Sequence, residues 1–77
     1  MNSDDVVEVP VEGTIRLGQL LKLANLAEDG ASAKELIEDS LVTVNGDVET
    51  RRGRQLQNGD EVATPHGSAR LVAAEPV

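Results

Sequence analysis

Apolar residues recur near the start of the chain with the spacing of one helix face. They stand at positions i, i+3, i+4 and i+7, which predicts a helix from about Arg16 to about Leu26. The members of this stripe are Leu17, Leu20, Leu21 and Ala24.

A second, shorter stripe follows after the loop 28–31. Ser32 with Glu35 three residues later is typical of a capping box, in which each side chain satisfies a free amide at a helix start. We therefore expect a helix that begins at Ser32 and ends near Asp39. Two short helices joined by about five residues should pack as a helical hairpin. The apolar members of the second stripe are Ala33, Leu36 and Ile37.

The remaining apolar segments are short and rich in Val and Thr, as is typical of strands. Pro10 cannot donate to a sheet ladder, so the first of them should be an edge strand or an irregular one. Gly59 marks a turn before the fourth segment, and Pro65-His66-Gly67 marks another after it. The predicted strands cover residues 6–11, 41–44, 48–51, 61–64 and 68–72.

Asn45-Gly46 is a strong hairpin signal between two of these strands. A two-residue turn would place Val44 opposite Asp47 and Val48 on the other face of the sheet. A three-residue loop through Asp47 would place Val42, Val44 and Val48 on one buried face. We favour the longer loop, because it buries all three valines together.

Together these elements predict an α+β fold in which a two-helix hairpin packs on a small, mostly antiparallel sheet of four to five strands. Seventy-seven residues make one domain. We expect its core to cover about residues 14–64, with flexible tails at 1–5 and 74–77. The chain has no Phe, Tyr or Trp, so Leu, Ile, Val and Ala must build the core.

Several classes of protein are disfavoured by composition. There is no Cys, hence no disulfide framework and no thiol nucleophile. The N-terminus lacks the basic region and apolar run of a secretory signal, and no apolar stretch approaches the roughly 20 residues that span a bilayer. We expect a monomeric, cytoplasmic protein that is not associated with a membrane and that binds no cofactor and no small-molecule substrate.

The charge is unevenly distributed. The formal net charge is −7, yet the chain from Gly13 onward carries only −3 of it, and residues 40–58 carry +1. Arg51, Arg52 and Arg54 supply three of the seven Lys and Arg residues within four positions. Arginine binds phosphate in bidentate fashion, and Gly53 would let a backbone approach closely. The three arginines are therefore candidate phosphate ligands. Alternatively, they belong to a solvated, charged loop that protects a sheet edge from aggregation.

Arg16 and Lys34 each fall in the first turn of a predicted helix, where the helix dipole disfavours a cation. A helix start with free amides attracts anions, so both cations are candidate phosphate ligands. Otherwise Arg16 would pair with Glu12, and Lys34 with Glu38, as ordinary surface ion pairs. Lys22, beyond the apolar stripe, is a further candidate phosphate ligand, although a lysine in such a position is more often simply solvated.

Four motifs in order resemble one known family. They are Arg16-Leu17-Gly18-Gln19-Leu20-Leu21-Lys22, Ala33-Lys34-Glu35-Leu36-Ile37, Leu41-Val42-Thr43-Val44-Asn45-Gly46, and Gly59-Asp60-Glu61-Val62.

This series resembles the αL motif, the RNA-binding domain named after ribosomal protein S-four, in its small stand-alone bacterial form. The resemblance implies that the helix pair and the adjacent hairpin bind structured RNA, ribosomal or transfer RNA, with Asn45 and Gly46 as supporting turn residues. Two positions depart from the family. It often has Arg before the second helix, where Gly30-Ala31 stand, and Gly after that helix, where Ser40 stands.

Catalysis has little support in the sequence, which has no nucleotide loop and no patterned nucleophile and base. His66, between Pro65 and Gly67, is most simply a turn residue and not a metal ligand. We therefore predict a non-enzymatic RNA-binding protein with no catalytic residue and no metal. The alternative is an acidic protein–protein interaction module, or an adaptor that has lost its affinity for RNA.

Overall fold

The computed structural model describes residues 6–74, so the predicted flexible tail 1–5, and residues 75–77 of the predicted flexible tail 74–77, lie outside the described residues. The elements follow one another along the chain as β1 (Val6–Val11), β2 (Ile15–Arg16), α1 (Leu17–Leu23), α2 (Gly30–Glu38), β3 (Thr43–Val44), β4 (Asp47–Val48), β5 (Gln55–Leu56), β6 (Glu61–Thr64) and β7 (Gly67–Ala73).

Within this range one sheet contains five strands in the order β1-β7-β6-β3-β4. The edge strand β1 runs parallel to β7, with Val9 opposite Leu71, and the other neighbours are antiparallel. The strands β2 and β5 form a separate antiparallel pair, with Ile15 opposite Leu56. The predicted α+β fold, with a helical hairpin on a mostly antiparallel sheet, is confirmed.

The core lies between the helix pair and the sheet and contains no aromatic ring. Both predicted helical stripes face it, and Leu36 at its margin is half-buried. Burying each large aliphatic side chain contributes roughly 1.5–3 kcal/mol, so these few residues dominate the stability of so small a domain. The largest fully buried side chains are Leu17, Leu20, Leu21, Ile37, Val42, Val44, Leu56, Val62 and Leu71.

The first helix is shorter than predicted and ends at Leu23 instead of Leu26. Asn25 adopts a left-handed conformation with φ of 60°, and the amides of Leu26 and Ala27 both donate back to the Leu21 carbonyl. The apolar pattern continued past the helix end because Leu26 is still buried in the core, although it is no longer helical.

The predicted start of the second helix was wrong by two residues. The cap is Asp29, whose carboxylate accepts a hydrogen bond from the Ser32 amide at 2.9 Å, and Gly30 and Ala31 are helical. This bond lowers the pKa of Asp29, because it stabilises the ionised carboxylate. The predicted end near Asp39 is confirmed, and Ser40 beyond it takes φ of 60°.

The β3–β4 turn has two residues, so the predicted three-residue loop was wrong. Val44 faces Asp47, and Val48 is 56% exposed. Asn45 and Gly46 both have positive φ, 53° and 92°, as tight hairpin turns require. Val42 and Val44 are buried as expected, but the third valine lies on the solvent face.

The hairpin strands are also shorter than predicted. The strand β3 begins at Thr43 instead of Leu41, and β4 ends at Val48 instead of Arg51. Beyond β4 the chain turns inward, and the side chain of Glu49 is buried there. The short strands β2 and β5 were not predicted. The longest helix in residues 6–74 has nine residues, far below the roughly 20 that cross a membrane.

Candidate nucleic-acid interface

The segment between β4 and β5 is organised around one buried carboxylate. We call residues 49–54 the arginine loop. The Glu49 side chain is 6% exposed and accepts hydrogen bonds from the Arg51 amide at 3.0 Å, the Arg51 Nε at 3.0 Å and the Arg54 Nη1 at 2.8 Å. A buried carboxylate with these donors is fully satisfied. Glu49 therefore fixes the shape of the loop.

These bonds shift the proton equilibria of the loop. The side-chain bonds from Arg51 and then Arg54 lower the pKa of Glu49 to about 2, because they stabilise its charged form. In return, the carboxylate raises the pKa of Arg51. Two of the three predicted arginine ligands are thus bound to an internal partner, although the Arg51 side chain remains 76% exposed.

Backbone bonds attach the arginine loop to the start of α1. The Leu17 amide donates to the Arg54 carbonyl at 2.8 Å, and the Gly18 amide donates to the Arg52 carbonyl at 3.1 Å. The Leu17 and Gly18 amides are therefore not among the free amides expected at a helix start, and they are not available to a phosphate.

Gly18 brings Arg52 close to the helix. A Cβ atom built at Gly18 would lie 2.9 Å from the Arg52 Cγ, closer than side chains tolerate. The aliphatic stem of Arg52 therefore crosses the first turn of α1 at a place where any other residue would displace it. The lack of a side chain at Gly18 therefore determines where the Arg52 guanidinium group can reach.

An open groove of about 450 Å³ lies between α1, the start of α2 and the arginine loop. We call it the cationic groove. Three cations line it: Arg16 and Lys22 at the two ends of α1, and Arg52 in the arginine loop. None of these three has a carboxylate within 4.0 Å among residues 6–74, so the predicted alternative pair of Arg16 with Glu12 does not form. The other lining residues are Gly18, Gln19, Gly30, Ala33 and Gly53.

The remaining predicted ligands lie elsewhere. Lys34 is exposed and reaches Glu38 at 4.0 Å, as the surface-pair alternative expected. Asn45 is a structural turn residue whose side chain donates to Asp60 at 3.0 Å and accepts from the Glu61 amide at 2.9 Å. Gly46 shares that turn and does not line the groove. The structure thus groups Arg16, Lys22, Arg52 and Gly53, and separates them from Lys34, Asn45 and Gly46.

Three residues of this region were not singled out from the sequence. Gly18 and Gln19 line the groove, and the Gln19 Oε1 accepts a hydrogen bond from the Arg16 amide at 3.3 Å. From the sequence, Glu49 contributed only to the charge of residues 40–58. One signal was available for it, since an acid two residues before an arginine cluster can bind those arginines. Over residues 6–74, no cluster of three or more His, Asp or Glu side chains is arranged to hold a metal ion.

The fold and the groove define a class: a small α+β domain that presents unpaired cations between a helical hairpin and a structured loop. The model of the S4 domain family matches residues 7–72. The chain belongs to the S4 domain family.

Several relatives support this assignment. The chain is 46% identical over 48 residues to the "Probable ribosome maturation protein RlbA" of Bacillus subtilis, covering 62% of this chain and 68% of that protein. It is 39% identical over 59 residues to YbcJ of Escherichia coli, covering 77% and 84%. The solution structure of YbcJ, described as revealing an αL motif involved in RNA binding, matches with a TM-score of 0.66 at 33% identity, covering 95% of this chain and 91% of that one.

Proposed function

We propose that this protein binds structured RNA through the cationic groove, without a catalytic step. One observation carries the proposal. Arg16 and Lys22, at the two ends of α1, and Arg52, in the arginine loop, line one groove and are not neutralised by any carboxylate within 4.0 Å in the described part of the chain. In a protein of net charge −7, such a concentration of unpaired cations favours a polyanion as ligand.

The chemistry of the groove suits a phosphate backbone. The planar guanidinium groups of Arg16 and Arg52 can each bind a phosphate through two parallel hydrogen bonds, and the Lys22 ammonium adds a point charge. The chain has no Phe, Tyr or Trp on which to stack a base, and its one His, His66, does not line the groove. Recognition therefore rests on phosphate positions and groove shape, which favours folded RNA over unstructured single strands.

The relatives suggest which RNA to test first. The Bacillus subtilis relative is named for ribosome maturation, and the Escherichia coli structure is described by an RNA-binding motif. We infer that ribosomal RNA is the leading candidate, with transfer RNA next, and that the protein acts in the cytoplasm.

The decisive experiment compares two single substitutions that remove the same charge. Arg52→Ala removes a groove cation, whereas Arg70→Ala removes a cation that pairs with Glu8 and Glu61 on the outer face of the sheet. Affinity for total ribosomal RNA and total transfer RNA is measured by gel shift. We expect Arg52→Ala to weaken binding about tenfold or more, because a charge-assisted hydrogen bond contributes roughly 1.5–3 kcal/mol. Arg70→Ala should change it little.

The double variant Arg16→Ala/Lys22→Ala extends the test to the other two cations of the groove and should weaken binding at least as much as Arg52→Ala. Circular dichroism checks that each variant is folded. Equal losses for Arg52→Ala and Arg70→Ala would show that overall charge, not the groove, controls binding. Undiminished binding by folded Arg52→Ala would reject the proposed site.

A further inference from the structure

A second groove, of about 600 Å³, lies against another part of α2. It is bounded by the segment between the helices, one side of α2, Leu41 after the helix and His66 in the β6–β7 turn. We call it the acidic groove. Its acidic lining residues are Glu28, Glu35 and Asp39, and its other lining residues are Asn25, Leu26, Ala27, Ser32, Leu36, Leu41 and His66.

The helix α2 separates the two grooves. Gly30 and Ala33 line the cationic groove, whereas Ser32, Glu35 and Leu36 line the acidic one. Because successive helical residues are rotated by about 100°, these two sets lie on nearly opposite sides of the helix. The domain therefore presents two surfaces of opposite charge that can be occupied at the same time.

The carboxylates of the acidic groove have no cationic partner. Glu28, Glu35 and Asp39 have no Lys, Arg or His nitrogen within 4.0 Å among residues 6–74. None of the seven Lys and Arg side chains lines the groove. By contrast, Glu49 and Glu61 each have an arginine partner. The three groove carboxylates are exposed and therefore free to pair with an incoming cation.

The same groove exposes apolar surface. Leu41, three residues after the end of α2, is 45% exposed, and Leu36 beside it is half-buried. Leu26 and Ala27 complete an apolar floor. An apolar strip lined by unpaired carboxylates is complementary to a peptide that carries both aliphatic side chains and cations.

We propose that the acidic groove docks a basic, partly apolar segment of another protein, with Lys or Arg residues facing Glu28, Glu35 and Asp39 and an aliphatic residue on Leu41 and Leu36. Nucleic acid and anionic lipid headgroups would be repelled by the three carboxylates. The docking is independent of RNA, because it uses the opposite side of α2 from the cationic groove.

The test uses fluorescein-labelled peptides built from Lys-Lys-Leu repeats, with Lys-Lys-Ser repeats as the probe without aliphatic groups. Binding to the full chain is measured by fluorescence anisotropy in the absence of RNA. We expect the Leu peptide to bind more tightly than the Ser peptide. The variant Glu35→Gln/Asp39→Asn should bind the Leu peptide about three- to tenfold more weakly, since each exposed charge pair contributes roughly 0.2–1 kcal/mol. Leu41→Ser should reduce the advantage of the Leu peptide.

The matched control is Glu12→Gln/Asp47→Asn, which removes the same charge from two exposed residues outside the groove. It should bind as the unmodified protein does. Equal weakening by both double variants would assign the effect to net charge and overturn the proposal, as would equal binding of the two peptides. If the chain self-associates and Glu35→Gln/Asp39→Asn abolishes this self-association, the groove binds a second copy of the chain. That result would also overturn the proposal. Arg52→Ala should bind the Leu peptide normally, so this test is separate from that of RNA binding.

Discussion

Replacing Glu49 by Gln probes the internal support of the arginine loop with almost no change of shape. The substitution removes a charge that accepts hydrogen bonds from Arg51 and Arg54 at 2.8–3.4 Å, within a side chain that is 6% exposed. A pKa held at about 2 against an ordinary value of 4.5 corresponds to about 3 kcal/mol in favour of the folded state. Arg51 is 76% exposed and screened by water, so we expect Glu49→Gln to lower the free energy of unfolding by about 2 kcal/mol.

The sign of the pH dependence follows from the lowered pKa of Glu49. The unfolded chain binds a proton at this carboxylate more readily than the folded chain does. Its contribution to stability is complete above about pH 4.5, falls as the pH drops towards about 2, and is absent below that. The difference in stability between the unmodified protein and Glu49→Gln should therefore vanish over this interval.

The measurement is urea unfolding followed by far-ultraviolet circular dichroism, because the chain has no aromatic fluorophore. Glu12→Gln is the matched control, since Glu12 is exposed and has no cation within 4.0 Å in the described range. It should have little effect on stability at any pH. If Glu49→Gln is as stable as the unmodified protein at neutral pH, or if its deficit is unchanged in acid, the assigned role of Glu49 is wrong.

Four further outcomes are expected. Gly18→Ala should displace the Arg52 stem and weaken RNA binding in a gel shift, by less than Arg52→Ala, while unfolding by urea stays nearly unchanged. Ser40→Gly should raise the free energy of unfolding by about 0.5–1 kcal/mol, because glycine adopts φ of 60° without strain. Leu20→Ala should lower it by about 2–5 kcal/mol, since Leu20 is fully buried. For three phosphates held by the groove, log K against log salt should have a slope of about −2 to −3, and a flat response would contradict phosphate binding.

Local patterns predicted the parts of the fold that depend on few residues. The stripe that contains Leu17 and Leu20 located α1, and Asn45-Gly46 located the hairpin. Predictions failed where two local solutions compete. Asp29 and Ser32 can both cap a helix, and the structure uses the acid as cap and the serine amide as its donor.

The arginine loop could not be predicted from local patterns, because its shape depends on contacts between distant segments. An Arg-Arg-Gly-Arg sequence is compatible with three arginines that are free to bind phosphate. In the structure, however, the buried Glu49 carboxylate binds Arg51 and Arg54, and Arg52 lies beside Gly18. The approach of residues 52 and 18 requires pairing of β2 with β5, two strands of two residues each. So short a ladder has no periodic signal in the sequence.

The placement of charge on the two sides of α2 has a kinetic consequence. An RNA molecule approaching from afar meets a protein of net charge −7, and the cations dominate only within about a Debye length, near 10 Å at 0.1 M salt. Added salt weakens the distant repulsion before it weakens close phosphate contacts. The association rate constant should therefore rise with moderate salt even as the complex becomes shorter-lived, the reverse of the behaviour of a uniformly basic partner of RNA.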